Sequence, residues 1–168
     1  MPIILIVGLG NPGYSYSPHN IGADVLKAAF NLQKNFNVLL ENQNIILYMV
    51  VCPAPMNISG PRIKKLYEKY NCTHLVILVD ELDLPLQTIK ISENTMARGH
   101  NGIRSIIAAF GHNNFIKMRI GIGRPEDSVA QFVLAPWPQH TIELILQQTP
   151  RYRATIEDLI KGIILKVI

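Results

Sequence analysis

Apolar runs of strand length recur along this chain, and each stops abruptly at a short turn of glycine, proline, asparagine or acid. Ile3-Ile4-Leu5-Ile6-Val7 runs into Gly8-Leu9-Gly10-Asn11-Pro12-Gly13, and Val50-Val51 leads to Met56-Asn57-Ile58-Ser59-Gly60. Leu75-Val76-Ile77-Leu78-Val79 ends in Asp80-Glu81-Leu82-Asp83-Leu84-Pro85; later come Gly99-His100-Asn101-Gly102 and Arg119-Ile120-Gly121-Ile122-Gly123. Helical periodicity fills the segments between, so the rhythm predicts an α/β fold with a mostly parallel sheet covered on both faces. The strand ends of such a sheet line one crevice, where these imidazoles, carboxylates and carboxamides can converge.

At 168 residues, 48% hydrophobic and 17% charged, the chain is expected to be one compact domain over 1–168. No apolar run approaches the roughly 20 residues of a membrane span. No signal or transit pattern precedes the first strand, which favours the cytoplasm; a trimmed mitochondrial or other organellar protein would look the same. Cys52 and Cys72 lack CxxC spacing and read as reduced thiols. A net charge of +4 permits a phosphate-rich partner without requiring one.

The first helix is predicted near Asn20, with Ile21, Val25, Ala28 and Leu32 on one face. Residues 33–44 read as a polar loop before a strand from Ile45 to Val51. A second helix follows Ser59-Gly60-Pro61, with Ser59 as its cap and Ile63, Leu66 and Tyr70 as its stripe. A third, marked by Ile103, Ile106, Ile107 and Phe110, closes at Gly111. Phe115 to Ile122 alternates, Ile116, Met118, Ile120 and Ile122 facing one way and Lys117 and Arg119 the other. Two C-terminal helices are predicted, Gln139 to Gln148 and Arg153 to Lys166, and the apolar stripe of the second reads as core packing.

Gly8-Leu9-Gly10-Asn11-Pro12-Gly13 has dinucleotide-site spacing, but such a site needs a helix to start within the glycines. Pro18 would break that helix, and Glu41 precedes the next strand instead of closing it, so no nucleotide cofactor is expected. Asn11 either presents its carboxamide to the crevice or only stabilises its turn. His19 and His100 each precede an asparagine that could simply cap a helix. Asp80 ends a strand too apolar to hold a lone carboxylate, so it needs a partner; a histidine held there would be oriented and made more basic. Which histidine it reaches stays open. Glu81 and Asp83 fall in the following turn, and with no further carboxylates nearby no metal is expected. The equipment suits hydrolysis by an activated water.

In their order along the chain, VGLGNPG, HNIG, PMNISG, DELDLP, GHNG and RIGIGRP resemble the motifs of bacterial-type peptidyl-tRNA hydrolases, from Leu5 to about Leu134. The resemblance implies one α/β domain with a twisted mixed sheet, acting on the ester that joins a peptide to its tRNA. It implies His19 as the catalytic histidine, Asp80 as its orienting carboxylate, and Asn11, Asn57 and Asn101 as substrate-positioning carboxamides. Met56 matches an apolar cleft wall, and a tyrosine role falls to Tyr14 or Tyr16. Lys90, Lys117 and Arg119 match basic positions that hold tRNA; charge and position add Arg98 and Arg104. Peptidyl-tRNA is the implied partner of an expected monomer, with no cofactor, metal or membrane. The match departs at Tyr14-Ser15-Tyr16-Ser17-Pro18, which is shorter than the family's segment and has proline in place of its arginine. The rivals are an RNA-binding relative that has lost hydrolysis and a small-molecule hydrolase of the same fold.

Overall fold

The computed structural model describes residues 1–42 and 44–167. Among them the chain alternates strands and helices: β1 (Ile3–Gly8), α1 (Ile21–Ala29), β2 (Phe36–Asn42), β3 (Ile45–Val51), α2 (Ser59–Lys69) and β4 (His74–Glu81). Then come β5 (Ile89–Glu93), α3 (Asn101–Phe110), β6 (Ile116–Gly121), α4 (Val129–Leu134), α5 (Gln139–Gln147) and α6 (Thr149–Val167). One six-stranded sheet has the order β2-β3-β1-β4-β6-β5. Its four inner strands are parallel, and the edge strands β2 and β5 are antiparallel to their neighbours. The fold is therefore the expected mixed, mostly parallel sheet.

Side-chain alternation sorts the core into two layers. Ile4, Ile6, Val76, Leu78, Met118 and Ile120 pack toward α1, α5 and α6, whereas Leu5, Val7, Ile77 and Val79 pack toward Ile63 of α2 and Ile103 and Ile106 of α3. Each fully buried Ile or Leu contributes about 1.5–3 kcal/mol, so the central strands hold one register firmly. Gly111 takes φ 76° and ends α3, as its position predicted.

Two local expectations are corrected. Most of the predicted 33–44 loop is β2, since an edge strand needs pairing on one side only and asparagines do not prevent it; residue 43 lies outside the described residues. Ser59 is not the cap of α2: it is the first helical residue, and its Oγ–H donates to the Met56 carbonyl at 2.9 Å. β5 and α4 had no expectation attached to them. Both cysteines are free, Cys72 buried and Cys52 half-buried. Among the described residues no helix is long and apolar enough to cross a membrane.

Candidate active site

The turns after β1, β3 and β4 and the segment before α3 gather at one end of the sheet, because their strands are parallel neighbours. The turn after β1 is stapled by Asn20. That buried side chain accepts from the Asn11 N–H and donates to the Asn11 carbonyl, each at 2.9 Å. Asn20 stands at the N-cap position of α1, but its side chain makes no capping bond there. With its backbone held, Asn11 uses its own Oδ1 to accept from the Met56 N–H at 2.7 Å, pinning the turn after β3. Its NH₂ group has no partner among the described residues and stays available for a substrate oxygen.

His19 sits in a 3₁₀ turn, Pro18–Asn20, that leads into α1. Gly22, in the first turn of α1, lies so close to the Leu78 carbonyl that any Cβ would overlap it. This contact presses α1 onto β4 and sets His19 over Asp80, two residues beyond Leu78. His19 Nδ1 lies 2.9 Å from Asp80 Oδ1, and His100 Nε2 lies 2.8 Å from the same oxygen. The choice left open by the sequence has a double answer: Asp80 reaches both histidines. Their rings stand 4.8 Å apart between centroids.

The protons in this trio are assigned by the backbone. His100, not Asn101, caps α3, its Nδ1 accepting the Ile103 N–H at 3.3 Å. An Nδ1 that accepts leaves the ring proton on Nε2, so His100 donates to Asp80. His19 donates from Nδ1, which leaves its Nε2 lone pair free. Burial alone would raise the Asp80 carboxyl, but His100 and then His19 hold it down to about 2. It is ionised at any physiological pH.

The trio borders a cleft of about 420 Å³. Asn101 and Arg98 line it with Leu82 and with Val129 and Val133 of α4. Arg124 lines it too, its Nη2 and Nε donating to Asp83 Oδ1 at 2.7 and 3.1 Å. Arg124 was missed by sequence reasoning, although it lies within the quoted RIGIGRP motif. Met56 is buried beside Gly102 and thus next to His100, whereas Asn57 is exposed in the same turn. Tyr14 and Tyr16 are exposed in the segment before His19. Lys90, Arg98 and Arg104 are exposed on β5, the loop before α3 and α3 itself.

Lys117 and Arg119 correct an expectation. They do share the face opposite Met118 and Ile120, but that face is closed, not open. β5 pairs outside β6, and the segment before α3 folds across both side chains. Lys117 Nζ donates to the carbonyls of Thr95 at 2.6 Å and Met96 at 3.3 Å, and Arg119 Nη1 bonds Glu81 Oε1 at 3.1 Å. Burial, with Arg119 alongside, lowers the Lys117 ammonium to about 8. Neither charge reaches the surface as these groups stand.

His19, Asp80 and His100 bring three possible ligand atoms within 4.8 Å, the geometry of a small metal centre. Both nitrogens that face the carboxylate carry protons in the network above, which makes it a proton-holding set in this arrangement. Chemically, it offers one oriented base, a fixed anion behind it, and amide donors beside it.

Comparison with known proteins agrees with this geometry. The model of the peptidyl-tRNA hydrolase family matches residues 5–167. The peptidyl-tRNA hydrolase of Clostridium perfringens is 33% identical over 95% of this chain and 92% of its own length. That of Tropheryma whipplei is 39% identical over 80% and 76%. The crystal structure of peptidyl-tRNA hydrolase from Acinetobacter baumannii superposes with a TM-score of 0.77 at 26% identity, covering 98% of this chain and 91% of that one. A family match over nearly the whole length, on a fold and a histidine–aspartate pair of this kind, establishes that the chain belongs to the peptidyl-tRNA hydrolase family.

Proposed function

We propose that this chain hydrolyses the ester bond of peptidyl-tRNA, releasing the peptide and free tRNA, with His19 as general base. The observation that carries this reading is the 2.9 Å contact of His19 Nδ1 with the ionised Asp80, which leaves Nε2 free at the cleft. Nε2 takes a proton from water as the water oxygen attacks the ester carbonyl carbon. The oxyanion that forms accepts hydrogen bonds from the carboxamides of Asn11 and Asn101. Collapse breaks the bond to the terminal ribose oxygen, and the Nε2 proton passes to that oxygen. Asp80 stabilises the transient imidazolium and does not itself accept a proton. An ester asks for no stronger nucleophile than this.

Met56 and Asn57 serve the peptide, with Tyr14 or Tyr16 at the rim. The exposed Lys90, Arg98 and Arg104 meet the phosphates of the acceptor end, and Lys117 and Arg119 support the loop and turn from beneath. One chain supplies every group, so a monomer suffices, working wherever translation takes place, cytoplasm or mitochondrion. The joint presence of His19 and Asp80 in contact favours hydrolysis over an RNA-binding relative without activity. The test is the release of free tRNA from peptidyl-tRNA by His19→Ala. Its rate should fall by about 10²–10⁴-fold with tRNA affinity nearly unchanged; near-normal release would remove His19 from the mechanism.

A further inference from the structure

Tyr16, three residues before the base, adopts φ 61°, a left-handed conformation disfavoured for any residue with a side chain. Its ring does not hold it there, since the residue is 41% exposed. Two short backbone bonds do. The Tyr16 N–H donates to Asp24 Oδ2 at 2.7 Å, and the Tyr16 carbonyl accepts from the Trp137 N–H at 2.7 Å. Beyond Tyr16 the chain has little freedom before His19. Ser17 is buried, its Oγ–H donates to the Tyr14 carbonyl at 2.7 Å, and its carbonyl accepts the Asn20 N–H at 2.9 Å. Pro18 has no N–H and a fixed φ. The direction in which Tyr16 leaves its turn therefore sets where His19 begins.

Asp24 is an unusual group to find in this place. It lies on α1 just past the base, half-buried, and burial pushes its carboxyl up to about 7 against the pull of the Tyr16 N–H and of Lys27 on the same helix. Just beyond β3, the Cys52 thiol lies near enough to feel its charge. A half-buried carboxylate with no ion-pair partner among the described residues costs stability, and the bond it makes is the one that holds the strained residue. We propose that Asp24 is a positioning residue for the hydrolysis: by gripping the Tyr16 N–H it fixes the turn that presents His19 to Asp80. Through the other bond, Tyr16 also ties that turn to Trp137, which follows α4, a helix that lines the cleft.

The proposal rests on His19 as the base, and the test keeps the two apart by reading the ring as well as the rate. Asp24→Asn retains an acceptor oxygen and removes only the charge; Asp24→Ala and the space-filling Asp24→Leu remove the acceptor. Full-length proteins are compared for kcat and KM on peptidyl-tRNA, and by NMR for the hydrogen-bonded Nδ1 proton of His19. Ala and Leu variants should lose about 10- to 100-fold in kcat, the scale of a small misplacement of a catalytic group. Their KM should change by less than their kcat, since Met56, Asn57 and the tRNA-facing cations are untouched, and their Nδ1 signal should weaken; Asp24→Asn should resemble wild type in all three. A fall in Asp24→Asn as deep as in Asp24→Ala, or an undisturbed Nδ1 signal in both acceptor-free variants, would overturn the proposal. A weakened signal with normal turnover would uphold the brace and sink the reading of His19 as base.

Discussion

His100 Nε2 and His19 Nδ1 both bond one oxygen of Asp80, but only His100 has its second nitrogen occupied, by the first turn of α3. On the proposed mechanism, the helix thereby decides which imidazole serves as base. His100 is spent as a cap and a donor, and His19 keeps a lone pair facing the cleft. The pair shares an anion and divides its labour.

That division predicts how His100 variants behave. His100→Asn supplies a good cap for α3 while losing the bond to Asp80, whereas His100→Ala loses both. Both should retain hydrolysis to within about 30-fold, because the base remains, and only His100→Ala should also lower the melting temperature, by the roughly 1 kcal/mol of a lost cap. Loss of turnover in His100→Asn as complete as in His19→Ala would reassign the base.

Asp80 and its acidic neighbour should separate cleanly. Asp80→Asn keeps the shape but removes the charge that stabilises the imidazolium, and should slow turnover by about 10²-fold or more. Asp83 is exposed and pairs with Arg124 at the cleft edge, so Asp83→Asn should cost much less. Equal losses would point to a cation held between the two carboxylates, and loss of wild-type activity on adding a chelator would identify it.

The acid limit of stability follows from Asp80. Its carboxyl is held at about 2 in the fold, below its ordinary 3.8. A depressed carboxylate adds stability that is fully present above pH 3.8 and is lost as pH falls toward 2. Denaturant unfolding of wild type and Asp80→Asn should differ most above pH 4 or so and converge through that window. A constant gap across it would mean that the charge of Asp80 does not stabilise the fold.

Salt dependence locates the tRNA. Single alanine variants of the exposed Lys90, Arg98 and Arg104 should each flatten the slope of log affinity against log salt by about 0.7–0.9. Lys117→Ala should leave the slope alone and lower the melting temperature, because its ammonium satisfies the Thr95 and Met96 carbonyls inside the protein. A flattened slope in Lys117→Ala with unchanged stability would show that the covering segment opens to admit phosphate.

The alternation of residues 116–122 was legible in the sequence because each side chain of a strand carries its own face with it: Met118 and Ile120 do face the opposite way from Lys117 and Arg119. The apolar runs of β1, β3 and β4 announced a covered sheet for the same reason, and the placing of Asp80 at the end of such a run announced a buried carboxylate in need of a partner. Exposure was not legible. Whether Lys117 meets water depends on β5 pairing outside β6 and on the carbonyls of Thr95 and Met96, more than 20 residues away. Nor could the sequence show that Asn20 grips Asn11 instead of capping α1, or that Asp80 holds two imidazoles through one oxygen. Periodicity is a property of a segment and survives without its neighbours. Burial, hydrogen-bond partnership and the proton's place on an imidazole belong to pairs of segments, and they exist only once the chain has brought those pairs together.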